Sequence, residues 1–156
     1  MALCEPRSPR HDRHVDARHD SRLVVLDRDE CLTLLQLEAV GRIATASGDD
    51  APVVLPVNYV LDGESPVFRT DEHSVIHALG EVAISLEIDR FDWFRHIGWS
   101  VLVTGVAEDA TGQVDESWID TWAPGERHSV VRIRVDEIAG RRIELAPSPH
   151  DDRGYL

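Results

Sequence analysis

The sequence predicts a mainly β fold, a small closed antiparallel barrel with a few short helices, because closure removes exposed strand edges. Three observations lead there. Apolar and polar residues alternate over several short runs, as in residues 81–88, where Val82, Ile84, Leu86 and Ile88 share one face. Turn-forming clusters separate the runs, among them Ser47-Gly48-Asp49-Asp50 and Asp62-Gly63. Helical periodicity is confined to a few short stretches.

The 156 residues suit one domain with a sizeable core. Residues 1–22 are rich in His, Asp and Arg, lack apolar periodicity and read as a disordered tail. The domain is expected over 23–145, with a loose polar tail over 146–156. His11, His14 and His19 form no closed ligand set, and no metal is expected.

Residues 23–26 are a short apolar run able to add a strand or to pack across a barrel mouth. Asp27 and Glu30 then have capping-box spacing, and Cys31, Leu32, Leu34 and Leu35 give the helix its apolar face. The helix should end before Gly41, where strand periodicity begins and carries residues 41–46. A hairpin follows over 51–70. Val53, Leu55, Val57 and Tyr59 share one face of its first strand, and Asp62-Gly63 makes the turn. Pro56 cannot donate a ladder hydrogen bond, so an edge or a bulge is expected there. The return strand ends on Phe68, Arg69 and Thr70, a guanidinium beside a hydroxyl, able to hold a phosphate. Arg69 could equally be a solvated ion-pair partner, and Asn58 an ordinary strand residue.

Residues 74–79 read as one or two helical turns. His73 and His77 lie four apart there, without a third ligand nearby. The aromatic stretch 89–98 reads as a loop in which Phe91, Trp93 and Phe94 form a hydrophobic plug. The strand 99–107, apolar on both faces, is expected to be the longest and to meet a second surface. Trp118 and Trp122 are expected to pack. Residues 129–135 form the last clear strand, with Val131, Ile133 and Val135 inward, and 138–143 continue it past a bend at Gly140.

The formal net charge is −13, from 29 acidic and 16 basic residues, which argues against a nucleic-acid surface. No lysine is present, so any anion site must use arginine, hydroxyls or backbone N–H groups. No apolar run is long enough to span a bilayer, and the N-terminus lacks the apolar core of a secretory signal. A cytoplasmic protein is expected. Cys4 and Cys31 form no C-x-x-C motif, and no disulfide is expected.

In this order, ECLTLLQLEAVGRIAT, PVVLPVNYVLDGESPVFRT, EIDRFDWFRHIGWSVLVTGVAE and WAPGERHSVVRIRVDEIAGRRI resemble the pyridoxamine 5′-phosphate oxidase-like FMN-binding split barrels, in the nitroimidazole reductase-like branch. The resemblance implies a six-stranded split barrel, a homodimer with FMN at its interface, and an oxidoreductase passing electrons through the flavin to a small organic acceptor. It places Pro56, Val57 and Asn58 along the isoalloxazine. Phe68, Arg69 and Thr70 would flank the ribityl chain and phosphate, and Ser74 would add a phosphate contact near a helix N-terminus. Trp99 and Ser100 would meet the flavin from the partner subunit.

One departure stands out. Val75 occupies the place where family members commonly carry a phosphate-holding lysine, and Asp71 and Glu72 add negative charge. His73 or His77 would offset the loss in part. This departure motivates an alternative, a binding or sensing protein with a decayed flavin site that takes haem or a deazaflavin. No C-terminal arginine-rich segment resembles the substrate-phosphate site of the true oxidases, so that activity is the least favoured enzyme reading.

Overall fold

The computed structural model describes residues 21–46, 51–71, 81–122 and 125–145. The helical turns expected over 74–79, with Ser74, Val75 and the His73/His77 pair, lie outside the described residues. So do Cys4 and the three N-terminal histidines.

The strands are β1 (Ser21–Leu26), β2 (Val40–Thr45), β3 (Val53–Asp62), β4 (Ser65–Thr70), β5 (Val82–Asp92), β6 (Ile97–Asp109) and β7 (Ser129–Leu145). Helix α1 (Arg28–Leu37) follows β1, and a 3-10 turn covers Glu116–Trp118. All pairings are antiparallel, in the order β1-β7-β4-β3-β2-β5-β6, and β6 pairs back onto β7. Strands β2 to β7 therefore close a six-stranded barrel. One edge of β7 belongs to β6, and the other is divided between β4 at its start and β1 at its end. β1 begins at Ser21, inside the stretch expected to be tail, because it pairs with the end of β7 and Arg22 bridges Glu144 at 2.9 Å.

The inward residues of the strands build one core. Ile43, Phe68, Ile84, Leu86, Ile88, Val101, Val103 and Ile133 are fully or almost fully buried. Each such side chain contributes about 1.5–3 kcal/mol relative to exposure. Helix α1 adds Cys31, Leu34 and Leu35 to the same core. Its capping box forms as the spacing requires, for Asp27 Oδ1 accepts from the Glu30 N–H at 2.8 Å, and Glu30 accepts from the Asp27 N–H. The helix stops without a glycine cap. Instead the Tyr59 hydroxyl donates to the Leu35 carbonyl at 2.7 Å, satisfying one of the last-turn acceptors that no helical N–H can reach.

The longest strand is β7, with 17 residues, and not the one that carries residues 99–107; that strand, β6, has 13. It is longer because its edge opposite β6 takes β4 at the start and β1 at the end, and it also carries a bulge. Thr104 faces Glu137 while Gly105 faces Val135, so Asp136 is an extra residue on β7. The extra residue shifts the side-chain alternation. Val131, Ile133 and Val135 point inward before it, and Ile138 and Gly140 after it. The irregularity therefore falls at Asp136 and not at Gly140, and the strand continues through. Gly140 instead marks a close approach. A Cβ there would lie 2.5 Å from Cys31 Sγ, so its bare backbone lets α1 rest on the barrel.

The aromatic stretch is a hairpin instead of a plug. β5 runs to Asp92, a four-residue turn follows, and Trp93 and Phe94 are 84% and 95% exposed at its tip. Trp118 and Trp122 are exposed as well. Their segment is held by smaller residues: Ala110, Val114 and Ile119 pack on Val67 and Val130 outside the main core.

Candidate functional site

The hairpin of β3 and β4 opens into a cleft. The strands are paired from Asp62↔Ser65 to Tyr59↔Phe68, and there the pairing ends. The turn residues are Gly63 and Glu64, one position later than Asp62-Gly63, with positive φ at Gly63 alone. Beyond Tyr59, β3 pairs only with β2, through Val40↔Asn58 to Thr45↔Val53. Beyond Phe68, β4 pairs only with β7, through Arg69↔Val130 and Thr70↔Ser129. The barrel is split at this point. Pro56, opposite Arg42, lies on the stretch of β3 with a single neighbour, the edge position its missing N–H requires.

A cavity of about 220 Å³ occupies the split. Leu55, Pro56, Val57 and Asn58 line it from β3, with Ile43 of β2 behind; Arg69, Thr70 and Asp71 line it from β4. Thr121 and Arg127, from the segment joining β6 to β7, complete the lining. Five of these residues, Pro56, Val57, Asn58, Arg69 and Thr70, are the ones the sequence singles out, and the fold brings them together. Thr121 and Arg127 are additions that the sequence reading does not contain. The only signal for them is the arginine in the matching WAPGERHSVV stretch.

The other expected site residues among the described ones, Phe68, Trp99 and Ser100, are placed otherwise. Phe68 is fully buried, with its backbone in ladders to both Tyr59 and Val131, so its ring supports the strand from the core and does not face the cavity. Trp99 lines a separate hollow of about 370 Å³ with Ile97, Arg142 and Leu145. Ser100 lies next to it on β6, outside the lining of the cleft. Within one chain, neither residue joins the cleft.

Polar contacts fix the cleft's geometry. Asn58 Oδ1 accepts from the Trp122 N–H at 3.0 Å, and its Nδ2 donates to the Ala39 carbonyl at 3.4 Å, so this side chain ties β3 to the covering segment. Arg69 Nη2 donates to Glu116 Oε2 at 2.7 Å. Its Nε is buried and, among the described residues, has no hydrogen-bond partner. A buried unpaired guanidinium N–H beside a cavity is an unfilled donor, and filling it with an acceptor is favourable. The carboxylate of Asp115 accepts from the Ser117 hydroxyl at 2.6 Å and N–H at 3.0 Å, and these bonds hold its pKa below the usual carboxylate value. That turn presents Glu116 to Arg69.

Residues 27–142 match the sequence model of the pyridoxamine 5'-phosphate oxidase family. The chain belongs to that family. Rv0080 of Mycobacterium tuberculosis, an uncharacterised protein, is 28% identical over 131 residues, 78% of this chain and 86% of its own. An FAD-binding protein of Mycobacterium smegmatis is 30% identical, with a TM-score of 0.61 over 78% of this chain and 98% of that one. A candidate 5-nitroimidazole antibiotic resistance protein of Bacteroides thetaiotaomicron shares the fold at 11% identity, with a TM-score of 0.57 over 79% of this chain and 89% of that one.

Proposed function

We propose that this family member is an FMN-binding oxidoreductase that passes electrons through the flavin to a small organic acceptor. The split between β3 and β4 carries the reading. It sets an apolar wall of Leu55, Pro56 and Val57 beside an anion-seeking end at Arg69 and Thr70. A flat heteroaromatic ring with a phosphate tail has the same two-part chemistry. The residues fit the group: Arg69 retains an unfilled Nε donor, and Asn58 lies at the edge of the apolar wall. The FAD-binding relative at 30% identity supports a flavin as the ligand.

Bound flavin would supply reversible two-electron chemistry, and the chain's part is to hold the ring, exclude water and position the acceptor. A single cleft of about 220 Å³ is smaller than the roughly 300–1,000 Å³ of ordinary ligand pockets. A second copy of the chain would supply the missing wall, with Trp99 and Ser100 as its contribution. The exposed Leu55, Val54 and Leu102 favour such an association.

The test is a visible absorption spectrum of the purified protein before and after excess FMN and desalting. Retained flavin bands, bleached by a nicotinamide donor and restored by an acceptor, are the expected result. A colourless protein that cannot be reconstituted would contradict the proposal. Tight haem or deazaflavin uptake without flavin uptake would favour the alternative ligand.

A further inference from the structure

We propose that Arg127 is the second cation of the cleft and holds the ligand's phosphate together with Arg69 and Thr70. The inference rests on the flavin reading and assigns a role to a residue which that reading did not include. The register places Arg127 beside the anion end. Thr70 pairs with Ser129, so the chain entering β7 passes the end of β4 just before that pair. Glu126 and His128 pair with each other at 3.3 Å and are both well exposed, whereas Arg127 between them is half-buried and lines the cavity. Among the described residues, no hydrogen bond or ion pair engages its guanidinium.

Charge favours a second cation. Arg69 is already paired with Glu116 at 2.7 Å, so its positive charge is largely offset before any ligand arrives. Asp71 adds a carboxylate to the same lining. A phosphate monoester carries close to two negative charges at neutral pH. Arg69, already offset by Glu116, does not balance that charge alone. The sequence has no lysine to help, and valine stands at position 75. Arg127 is the remaining cation in the lining, and a guanidinium suits phosphate by its bidentate geometry.

The experiment is a fluorescence titration of the full-length protein with FMN and with riboflavin, which lacks the phosphate, at fixed ionic strength. The wild type, Arg127→Gln, Arg127→Met and Arg127→Lys are compared, with folding of each checked by thermal melting. The wild type should prefer FMN. The Gln and Met variants should weaken FMN binding by about ten- to a hundred-fold and leave riboflavin affinity within about two-fold. The Lys variant should recover most of the loss. Unchanged FMN affinity in both neutral variants, with the wild-type preference intact, would overturn the role of Arg127 and leave the flavin reading standing. Equal losses of FMN and riboflavin would mean a structural role and also overturn it. Absence of flavin binding by the wild type would overturn the flavin reading itself, and the role of Arg127 with it.

Discussion

Two walls of the same barrel are built to different standards. On one side β5, β6 and β7 stay in register over long ladders, from Val82↔Ala107 to Asp92↔Ile97 and from Gly98↔Ile143 to Asp109↔Val131, with a single bulge. On the other, β3 and β4 leave each other after Tyr59↔Phe68, and the gap is spanned by side chains, Asn58 to Trp122 and Arg69 to Glu116. The long wall has redundant backbone bonds and no gap between its strands. The split wall gives up ladder pairing and gains a cavity with an unfilled donor. Stability and recognition are thereby assigned to opposite sides, and substitutions should separate them.

The largest effect is expected on the long wall. A Cβ at Gly105 would lie 2.1 Å from the Arg134 carbonyl oxygen, backbone that no rotamer change can move. Gly105→Ala should cost about 3 kcal/mol or more in chemical denaturation, since overpacking against backbone exceeds the usual range. Arg69→Ala should show the opposite profile. FMN affinity should fall by about ten- to a hundred-fold, while stability changes by less than about 1 kcal/mol, as befits a partly exposed ion pair. Paired titration and denaturation curves check both halves of that statement.

Tyr59 sits where the walls part, and its variant sharpens the boundary. Tyr59→Phe should cost about 1 kcal/mol, the value of the bond to the Leu35 carbonyl. It should also alter the alkaline limb. Burial, and secondarily the nearby Glu38 carboxylate, push the Tyr59 phenol well above its ordinary pKa of 10.0. The phenol's contribution is fully present below the unfolded pKa near 10 and is lost as pH rises towards the folded value. The wild type should therefore weaken progressively above about pH 10, and the Phe variant less steeply. Denaturation curves collected across that range check the difference. The smallest effect is local. Asn58→Ala removes the acceptor of the Trp122 N–H, and hydrogen exchange at that amide should accelerate by about five-fold or more with little change in global stability.

The long wall is largely legible in the sequence because period-two patterning reports burial directly, and Ile84, Leu86 and Ile88 are inward as their spacing predicts. The capping box is legible for a similar reason, since both partners are local. The bulge at Asp136 is not. An extra residue inverts the alternation without any composition signal, and a glycine draws the expected bend to Gly140, whose bare backbone instead admits Cys31. The β3 and β4 walls of the cleft are legible from Pro56 and the Arg69-Thr70 strand end. Arg127 is not, because its place depends on a long-range register, Thr70↔Ser129, and on a segment anchored by Ile119 rather than by its tryptophans. The exposed Trp93 and Phe94 show the same limit. Aromatic content predicts burial, but a hairpin tip projects from the barrel whatever its composition.

The most direct test of the central claim, that the split between β3 and β4 receives the flavin, is an amide chemical-shift titration of the labelled protein with FMN. The account predicts perturbations concentrated at Val57, Asn58, Arg69, Thr70 and Arg127, joined by Trp99 and Ser100 if a second copy completes the site. Shifts confined to the hollow between the end of α1 and the β3–β4 turn, around Leu37 and Leu61, with the cleft silent, would contradict it.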